Sequence, residues 1–492
     1  DTQGKALFPS SFIDQLKRMF PALRTQPLPA ADPVRMSKAA ALHYMSQSLS
    51  QKESLTPLYW EIYRFFAGED SSFRQRFALI LSGNTAKPQR SYLSSKTVHA
   101  LYGNSVYSAV SRLERYAACP FAFFAEYGLK AKERKLYRLQ TPDLGILFHQ
   151  VLELFANTLE GEGKNWTTLS QQETTERIYA AVDAAAPSIG QNVLLETAAN
   201  RYLIERLKKV SSRAAWALVR HVQSGEFLPE GSEIAFGPAD SLPPIRIGLA
   251  DGKELVLSGK IDRVDLLEKD GRRYVKIIDY KSGTKSFSLR DVYYGLQLQL
   301  LIYLDAYLSY FPQAKTAPGG VFYFRIQDPS ITLEEETAPE KIADALYAQM
   351  EMSGVVLQQE DVLMSMDHAF RAEDGSFRPA NSVIIPVSFT SKGAISARSS
   401  ALEEPEFRAL LRYAVKKTAD LGEAMLSGNI APAPVLSSSG TPCSYCKFHA
   451  ICRYDYDTRP AFRNLSTLSD AQKAQMLSAF TENKDGAPTD TK

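Results

Sequence analysis

The sequence predicts an α/β protein in which a mixed central sheet is flanked by helices. Residues 143–225 place apolar side chains at spacings of three and four, which is typical of amphipathic helices. The pattern then changes, and residues 253–283 (KELVLSGKIDRVDLLEKDGRRYVKIIDYKSG) are rich in β-branched side chains around an Asp270–Gly271 pair. Such a pair between two apolar runs predicts a β-hairpin with a tight turn. Helical and strand patterns in one chain favour helices layered on a sheet.

The remaining elements divide the chain into three parts. Residues 1–95 read as helical and carry no recognisable catalytic motif. Residues 96–460 contain the hairpin and the motifs that carry chemistry, whereas residues 461–492 form a polar tail that we expect to be disordered. After the hairpin we predict one helix at 289–311 (LRDVYYGLQLQLLIYLDAYLSYF), a strand at 319–326 (GGVFYFRI) and a helix at about 403–427.

Length and composition narrow the class of protein. The 492 residues exceed the size of one ordinary core, so we expect two or three domains. With 45% hydrophobic and 23% charged residues, the composition is that of a soluble globular protein. No apolar run approaches the roughly 18 residues that a membrane helix needs, so no membrane association is predicted. The sequence contains no G-x-x-x-x-G-K-[ST] motif, which excludes a phosphate-binding ATP loop of that kind.

One segment is strongly basic although the net charge of the whole chain is only +2. Residues 85–140 contain ten Lys or Arg and three Glu, a balance of +7, together with several Phe and Tyr. Basic side chains interleaved with aromatic rings suit a phosphate backbone with stacked bases. A solvated helical face shows the same composition, so this segment alone leaves both interpretations open.

Three of the four cysteines stand close together in TPCSYCKFHAIC, as Cys443, Cys446 and Cys452, whereas Cys119 lies more than three hundred residues upstream. Clustered thiols in a reducing compartment bind metal more often than they pair as disulfides, which predicts a cytoplasmic protein. Four thiolates suit either zinc or an iron–sulfur centre, and the spacing does not separate the two. Two alternatives stay open: Cys119 as an unrelated buried thiol, and His449 as a zinc ligand in place of one cysteine.

The sharpest chemical pattern lies in GKIDRVD and IIDYKSG, the two strands of the predicted hairpin. Asp279 and Lys281 are two residues apart on one strand, so their side chains leave the same face, and Asp262 lies within reach on the other. Two carboxylates beside a lysine can hold Mg2+ or Mn2+, while the lysine orients water and stabilises the transition state. A salt bridge is the alternative, but an aspartate ending an apolar strand needs a partner, which favours the metal site.

Two neighbouring helices contain residues that could complete this site. His149 lies among apolar residues in LGILFHQVLELF, with Glu153 one turn later on the same face. Such a histidine is most often part of a core, and it becomes a candidate metal ligand only beside the strand carboxylates. Gln299 and Tyr303 share a helix face at i, i+4 and could contact a phosphate or orient the lysine; ordinary hydrogen bonding between helices is equally expected. Gln297 lies on a different face and is a weaker candidate.

These segments together resemble a known pattern. The His of G-x-L-x-H, the Asp of GKIDRVD, the Asp-x-Lys of DYKSG and a Gln-x-x-x-Tyr occur in this order in RecB-family nucleases of the PD-(D/E)XK superfamily. The stretch VSRLERYAACPFAFFAEYGLKAKER and the terminal Cys-x2-Cys-x5-Cys are similar to the C-terminal part of the AddB subunits of bacterial AddAB helicase–nucleases. The resemblance covers most of residues 95–455.

The resemblance implies a fold and a set of site residues. The fold is a restriction-endonuclease-like core, a mixed central sheet flanked by helices, with a helical periphery stapled by an iron–sulfur cluster. The implied metal ligands (Mg2+ or Mn2+) are His149, Asp262 and Asp279, with Lys281 supporting the nucleophile and Gln299 and Tyr303 orienting the substrate or the lysine. The implied [4Fe–4S] ligands are Cys119, Cys443, Cys446 and Cys452.

The resemblance also implies an activity and partners. It indicates a Mg-dependent deoxyribonuclease, an exonuclease that degrades one DNA strand at a processed double-strand break during recombinational repair. It implies a heterodimer with an AddA-like helicase–nuclease subunit, with ATP bound only in the full-length complex. The family's subunits are much longer and carry a helicase-like region upstream, so the chain resembles their nuclease end, as a fragment or a separately encoded piece.

Two other functions are compatible with the sequence. The first is a non-catalytic DNA-binding scaffold that is stabilised by the iron–sulfur cluster and whose acidic pair is a relic. Metal-dependent cleavage of single-stranded DNA separates this scaffold from a nuclease. The second is a stand-alone RecB-like nuclease akin to those of CRISPR adaptation, which are usually much shorter than this chain.

Overall fold

A computed structural model describes most of the chain. The described residues are 11–24, 36–50, 55–68, 72–85, 91–103, 105–132, 141–188, 198–311, 315–332, 338–438, 440–452 and 462–478. They belong to two compact units, residues 1–89 and residues 90–492. None of the described helices combines the length and the apolarity that crossing a bilayer requires.

The first unit is helical in its described residues. Its helices are α1 (Ser11–Met19), α2 (Lys38–Ser50), α3 (Pro57–Ala67) and α4 (Ser72–Thr85). Helix α3 begins after Thr56, whose hydroxyl accepts a hydrogen bond from the Tyr59 N–H, and the fixed φ of Pro57 suits the first helical position. Met45, Tyr59 and Phe66 are buried in the core of this unit. The unit ends at residue 89, six residues before the boundary predicted from the sequence.

A six-stranded mixed sheet forms the centre of the second unit, in the order β2-β5-β6-β7-β8-β9. Its strands are β2 (Leu228–Phe236), β5 (Gly259–Lys269), β6 (Arg272–Lys281), β7 (Thr316–Arg325), β8 (Ser353–Leu357) and β9 (Ala401–Leu402). The β6–β7 and β8–β9 pairs are parallel, and the other pairs are antiparallel. The predicted α/β class with a mixed sheet is therefore confirmed.

The predicted hairpin is formed by β5 and β6. Asp270 and Gly271 both have positive φ, 50° and 70°, as the tight turns between antiparallel strands require. One detail of the prediction is wrong, because residues 254–269 do not form one strand. Glu254–Leu257 is a separate strand, β4, and pairs with β1 (Ser105–Ser108) and β3 (Ile245–Gly248) in a second sheet. Two further short strands, β10 (Val435–Leu436) and β11 (Arg463–Asn464), pair with each other.

Helices cover both faces of the central sheet. The α-helices described in the second unit are α5 (Ser95–Tyr102), α6 (Val110–Ala118), α7 (Pro120–Phe123), α8 (Thr141–Gly161), α9 (Gln171–Ala185), α10 (Ala198–Gln223), α11 (Leu289–Tyr293), α12 (Gln299–Tyr310), α13 (Pro339–Ala348), α14 (Glu360–Met366), α15 (Glu404–Leu426), α16 (His449–Cys452) and α17 (Asp470–Ser478). Helix α12 packs on β6 and β7. On the opposite face, His221 of α10 lies edge-on to Phe324 of β7. The helical prediction for residues 143–225 is confirmed for α8, α9 and α10, whereas residues 162–170 form a turn and a short 3-10 helix between α8 and α9.

The single helix predicted at 289–311 is instead two helices, α11 and α12. Gly295 between them has a φ of 78°, a left-handed conformation that ends a helix and that glycine adopts without strain. Helix α12 then starts anew, and the Glu114 carboxylate accepts hydrogen bonds from the N–H groups of Leu298 (2.7 Å) and Gln299 (3.0 Å). This break places the Gln299 side chain at the first turn of a helix that points at the end of β6.

The expected disorder of the C-terminal tail is wrong for its described part. Residues 463–464 form β11, and α17 packs against α15. Leu468 and Met476 are buried there, because a few apolar side chains in a polar segment are enough to dock a helix on an existing core. Residues 479–492 lie outside the described part of the chain.

Candidate active site

Three carboxylates form a row across neighbouring strands of the central sheet. Ser232 of β2 lies opposite Arg263 and Ile234 lies opposite Ile261, so Glu233 falls in line with Asp262 of β5. In the hairpin Arg263 lies opposite Ile278, which puts Asp262 level with Asp279 of β6. Residues opposite each other in an antiparallel pair point to the same face, so these side chains converge. We call Glu233, Asp262 and Asp279 the carboxylate row.

His149 reaches the carboxylate row from α8. Its Nδ1 lies 3.5 Å from Glu233 Oε1 and 3.5 Å from Asp262 Oδ2, while its Nε2 lies 3.1 Å from the Tyr280 carbonyl oxygen. A carbonyl oxygen only accepts hydrogen bonds, so Nε2 carries a proton in both charge states of the ring. In the neutral ring, Nδ1 therefore presents its lone pair to the carboxylates. The ligand atoms of His149, Glu233 and Asp262 all lie within 4.8 Å of one another, a spacing that suits one metal ion.

Burial perturbs the protonation of this site. Asp262 and Asp279 are 8% and 3% exposed. Burial and the neighbouring Asp279 charge raise the pKa of Asp262 from 3.8 to about 7, against the opposing effects of His149 and the Tyr280 N–H. Burial by itself lowers the pKa of His149, but the nearby carboxylates of Glu233, Asp262 and Asp279 outweigh it and raise that pKa. Without a metal, the site thus retains protons that a divalent cation would displace.

Asp279 is held from two directions. Its Oδ1 accepts a hydrogen bond of 2.9 Å from Gln299 Nε2 at the start of α12. Its Oδ2 forms an ion pair with Lys281 Nζ, on the same face of β6, but is otherwise buried without a hydrogen bond from the described residues. The Lys281 ammonium also lies 5.4 Å from the centre of the Tyr323 ring. The structure therefore places Asp262, Asp279, Lys281 and His149 near one another, but the described ligand atoms within 4.8 Å of one another include Glu233 and not Asp279.

Tyr303 and Gln297 lie close to the site but are packed differently from Gln299. Tyr303, one turn after Gln299, is buried edge-on against Phe236. Its hydroxyl packs closely on the backbone of Gly259, where the Cβ of any other residue would lie 2.6 Å from it. Burial, with the charges of Asp279, Asp262 and Glu114, raises the pKa of this phenol. Gln297 holds a loop, because its amide accepts from the Ser288 N–H and donates to the Ser286 carbonyl.

Two charged residues of the site were not predicted from the sequence. Glu233 is held with a φ of 53°, a strained conformation for this residue type, and its Oε1 is buried without a hydrogen bond from any residue that the structure describes. Lys260 places its ammonium 3.0 Å from Glu233 Oε2 and 3.2 Å from Glu153 Oε1. In the segment EGSEIAF, Glu233 looks like a polar residue on an ordinary strand. Only the pairing of β2 with β5 brings it to the other ligands.

The second aspartate of GKIDRVD points away from this site. Asp265 is fully buried on the opposite face of the sheet, where it accepts hydrogen bonds from Arg263 Nε (2.6 Å) and Arg263 Nη2 (3.1 Å). Lys276 Nζ lies 2.8 Å from Asp265 Oδ2. Burial raises the pKa of Asp265, but these two cations outweigh that effect and lower it. This cluster ties β5 to β6 and so helps to keep Asp262 level with Asp279.

The four cysteines line one small cavity, together with Arg115, Phe121 and His449. We call Cys119, Cys443, Cys446 and Cys452 the thiol cluster. Burial raises the pKa of Cys119, although backbone N–H groups of Ala122 and Phe121 act against this shift. His449 Nε2 lies 2.5 Å from the Cys443 carbonyl oxygen. Among the described residues, the sulfur atoms form no group of three within 4.8 Å of one another, whereas the ligand atoms of His149, Glu233 and Asp262 do.

The basic and aromatic segment adjoins the thiol cluster. Arg112 stacks on Tyr127 at 5.0 Å from the ring centre, and Arg115 forms an ion pair of 3.3 Å with Glu126. Residues 133–140 of this segment lie outside the described part of the chain. Stacking of a guanidinium on a ring leaves its outer face open to a phosphate or a base.

Comparison with known proteins identifies the family. A model of the PD-(D/E)XK nuclease superfamily matches residues 107–453. The chain is 37% identical over 500 residues to the B subunit of an ATP-dependent helicase/deoxyribonuclease from Alkaliphilus metalliredigens, covering 98% of the chain and 42% of the relative. The proteins of the same name from Alkaliphilus oremlandii and Caldanaerobacter subterraneus subsp. tengcongensis are 36% and 35% identical, over 98% and 92% of the chain and 42% and 40% of the relatives.

The family match contains every residue discussed above for the carboxylate row and the thiol cluster. The chain spans about two-fifths of the length of these curated relatives. The converging carboxylates, the strand lysine and the mixed sheet agree with the family match. The chain belongs to the PD-(D/E)XK nuclease superfamily.

Proposed function

We propose that the chain is a metal-dependent deoxyribonuclease in which His149, Asp262 and Asp279 hold one Mg2+ or Mn2+ ion, with Glu233 completing the ligand set. The carboxylate row supports this proposal, because buried carboxylates placed side by side are unfavourable without a cation. Carboxylate oxygens are the ligands that Mg2+ and Mn2+ prefer, and His149 adds one imidazole nitrogen to them. The buried Glu233 Oε1, which accepts no hydrogen bond from the described residues, and the Nδ1 lone pair of His149 face the same position.

The residues around this position have distinct tasks in hydrolysis. When bound, a divalent ion neutralises charge on the scissile phosphodiester and makes water more acidic. Lys281 lies beside Asp279, where its ammonium orients the attacking water and stabilises the charge of the transition state. Gln299 fixes the orientation of Asp279, and the Tyr280 carbonyl fixes the ring of His149. We place Tyr303 behind Gln299 as a packing residue of the site rather than a group that touches DNA.

The observation that carries this proposal is the position of Asp262 and Asp279 level with each other beside His149 and Lys281. The test is cleavage of end-labelled single-stranded DNA in Mg2+ and then in EDTA. Asp279→Ala should abolish Mg2+-dependent cleavage while DNA binding is retained. The matched control is Glu268→Ala, which removes an exposed carboxylate from the far end of the same hairpin. Wild-type cleavage by Asp279→Ala would overturn the assignment, and DNA binding without cleavage by the parent would favour a scaffold.

We further propose that the thiol cluster holds a [4Fe–4S] cluster. The four cysteines line one cavity although Cys119 is far from the other three in the chain, so their thiolates are placed to share one inorganic group. Anaerobically purified protein should be brown, with visible absorption that is lost on oxidation. Colourless protein that contains stoichiometric zinc would refute this assignment.

The names of the relatives support a further proposal about the complex. We infer that the chain acts as the nuclease part of an AddAB-type helicase–nuclease, as an exonuclease on DNA ends in recombinational repair. Its partner would be an AddA-like subunit in a heterodimer, and ATP would act outside this chain. The cytoplasm is the proposed location, in keeping with four described cysteines that form no disulfide with one another. Co-purification with such a subunit and digestion of duplex ends only in the presence of ATP would test the assembly.

A further inference from the structure

Lys260 lies at the outer edge of the carboxylate row. It is two residues before Asp262 on β5, so both side chains leave the same face of the sheet. Its ammonium bridges Glu233 Oε2 of β2 at 3.0 Å and Glu153 Oε1 of α8 at 3.2 Å. Glu233 therefore faces two cation positions, with Oε1 towards His149 and Asp262 and Oε2 towards Lys260.

The position of this ammonium is where a second divalent ion would be expected. Nucleases that use two ions hold them about 3.5–4 Å apart, with a carboxylate shared between the two positions. Glu233 is placed to be such a shared carboxylate, and Glu153 supplies an acidic group on the far side. A lysine ammonium between them carries one positive charge and donates hydrogen bonds to both.

We propose that the Lys260 ammonium occupies the second cation position, so that the centre takes one divalent ion instead of two. The inference rests on the metal centre proposed above and assigns Lys260 as a positioning residue that acts through Glu233. It also accounts for Glu233, whose side chain is 9% exposed, whose Oε1 accepts no hydrogen bond from the described residues and whose φ is 53°. A surface ion pair alone does not require a strained backbone.

Another lysine bridges two carboxylates and provides a matched control. Lys208 Nζ lies 2.8 Å from Asp183 Oδ1 and 3.2 Å from Glu205 Oε1. The side chains of Asp183 and Glu205 are 60% and 61% exposed. If a pair of carboxylates freed from its lysine were enough to bind a divalent ion, removal of Lys208 would create a site in the same way.

The test is the number of Mn2+ ions bound by the full chain, measured from the electron paramagnetic resonance signal of free Mn2+. Lys260→Met keeps most of the aliphatic stem and removes the charge. The parent should bind one Mn2+, Lys260→Met should bind two, and the double variant Lys260→Met/Glu153→Gln should return to one. Lys208→Met should bind the same number as the parent. Because Lys260 is 45% exposed, thermal unfolding of Lys260→Met should change little, and this is measured alongside.

Two results would overturn the proposal. One is a Lys260→Met variant that is folded and binds the same number of ions as the parent. The other is an additional ion in Lys208→Met, which would show that any freed pair of carboxylates binds Mn2+. His149→Ala tests the metal centre separately. If His149 does not bind the proposed ion, this variant binds as many ions as the parent. Loss of one ion in His149→Ala together with no gain in Lys260→Met would leave the nuclease proposal intact and reject the role of Lys260.

Discussion

Replacement of Asp262 by asparagine should stabilise the metal-free protein at pH 8 while it abolishes metal binding. Asp262 is buried beside Asp279, and burial with the charge of Asp279 raises its pKa to about 7. At pH 8 the parent must therefore keep two buried carboxylates ionised without a cation. An asparagine in the same place carries no charge, and its side-chain oxygen can still accept the Tyr280 N–H, which donates to Asp262 at 2.7 Å in the parent.

The magnitude follows from the difference between the folded and unfolded pKa values of Asp262. The native state retains the proton up to about pH 7, whereas the unfolded state loses it near 3.8. Stability is therefore present at low pH and is lost as pH rises through this window. At about 1.4 kcal/mol per pKa unit, the raised pKa of Asp262 lowers the free energy of unfolding at pH 8 by at most about 4 kcal/mol. The raised pKa of His149 works in the same direction, since its protonated form is favoured in the native state. We expect Asp262→Asn to raise the free energy of unfolding at pH 8 by about 2 kcal/mol. The gain is smaller than this limit because the variant also loses the attraction between His149 and Asp262.

The assay is urea unfolding in the presence of EDTA at pH 5 and at pH 8. Asp262→Asn should be more stable than the parent at pH 8, and the difference should shrink at pH 5, where Asp262 is already protonated in the native state. Asp470→Asn, at a fully exposed carboxylate, is the control and should show no such dependence. An Asp262→Asn variant that is destabilised equally at both pH values would refute the electrostatic reasoning, whatever its activity.

Three further predictions concern the surroundings of the site. Gln299→Leu removes the hydrogen bond to Asp279 and should weaken Mn2+ binding by about 10–100-fold; unchanged Mn2+ affinity in a titration would contradict a role in positioning. Glu114→Ala leaves two N–H groups at the start of α12 without their acceptor and should lower the free energy of unfolding by about 1–3 kcal/mol, whereas Glu114→Gln should lose less; equal losses in urea titrations would argue against capping. Cys119→Ser should remove the visible absorption and lower the melting temperature while some cleavage of short single strands persists; an unchanged spectrum would exclude Cys119 as a ligand.

Local patterns predicted the part of the site that lies on one hairpin. The two-residue period of a strand puts Asp279 and Lys281 on one face, and the Asp270–Gly271 turn sets which residues of the two strands are level. Asp262 could thus be brought near Asp279 without any knowledge of the tertiary structure. The break between α11 and α12 was missed, because Gly295 in an apolar run looks like a tolerated helical glycine.

Long-range contacts decided the rest of the site. Glu233 joins the carboxylate row through the pairing of β2 with β5, and Lys260 meets Glu153 only because α8 packs beside β2. The docking of α17 likewise depends on the surface of α15, which a polar sequence does not reveal. Such contacts depend on three-dimensional packing between segments far apart in the chain, and a local pattern carries little information about them.

The sequence by itself determined the class of fold, the hairpin with its Asp-x-Lys face, and the separation of four thiols into one and three. These features follow from backbone periodicity and turn chemistry, which act over a few residues. Only the tertiary structure decided that Glu233 and Lys260 belong to the site, that Asp265 does not, and that Cys119 meets the other three cysteines. Burial is the physical reason, since it selects which charged groups must face one another once the sheet and its helices have closed around them.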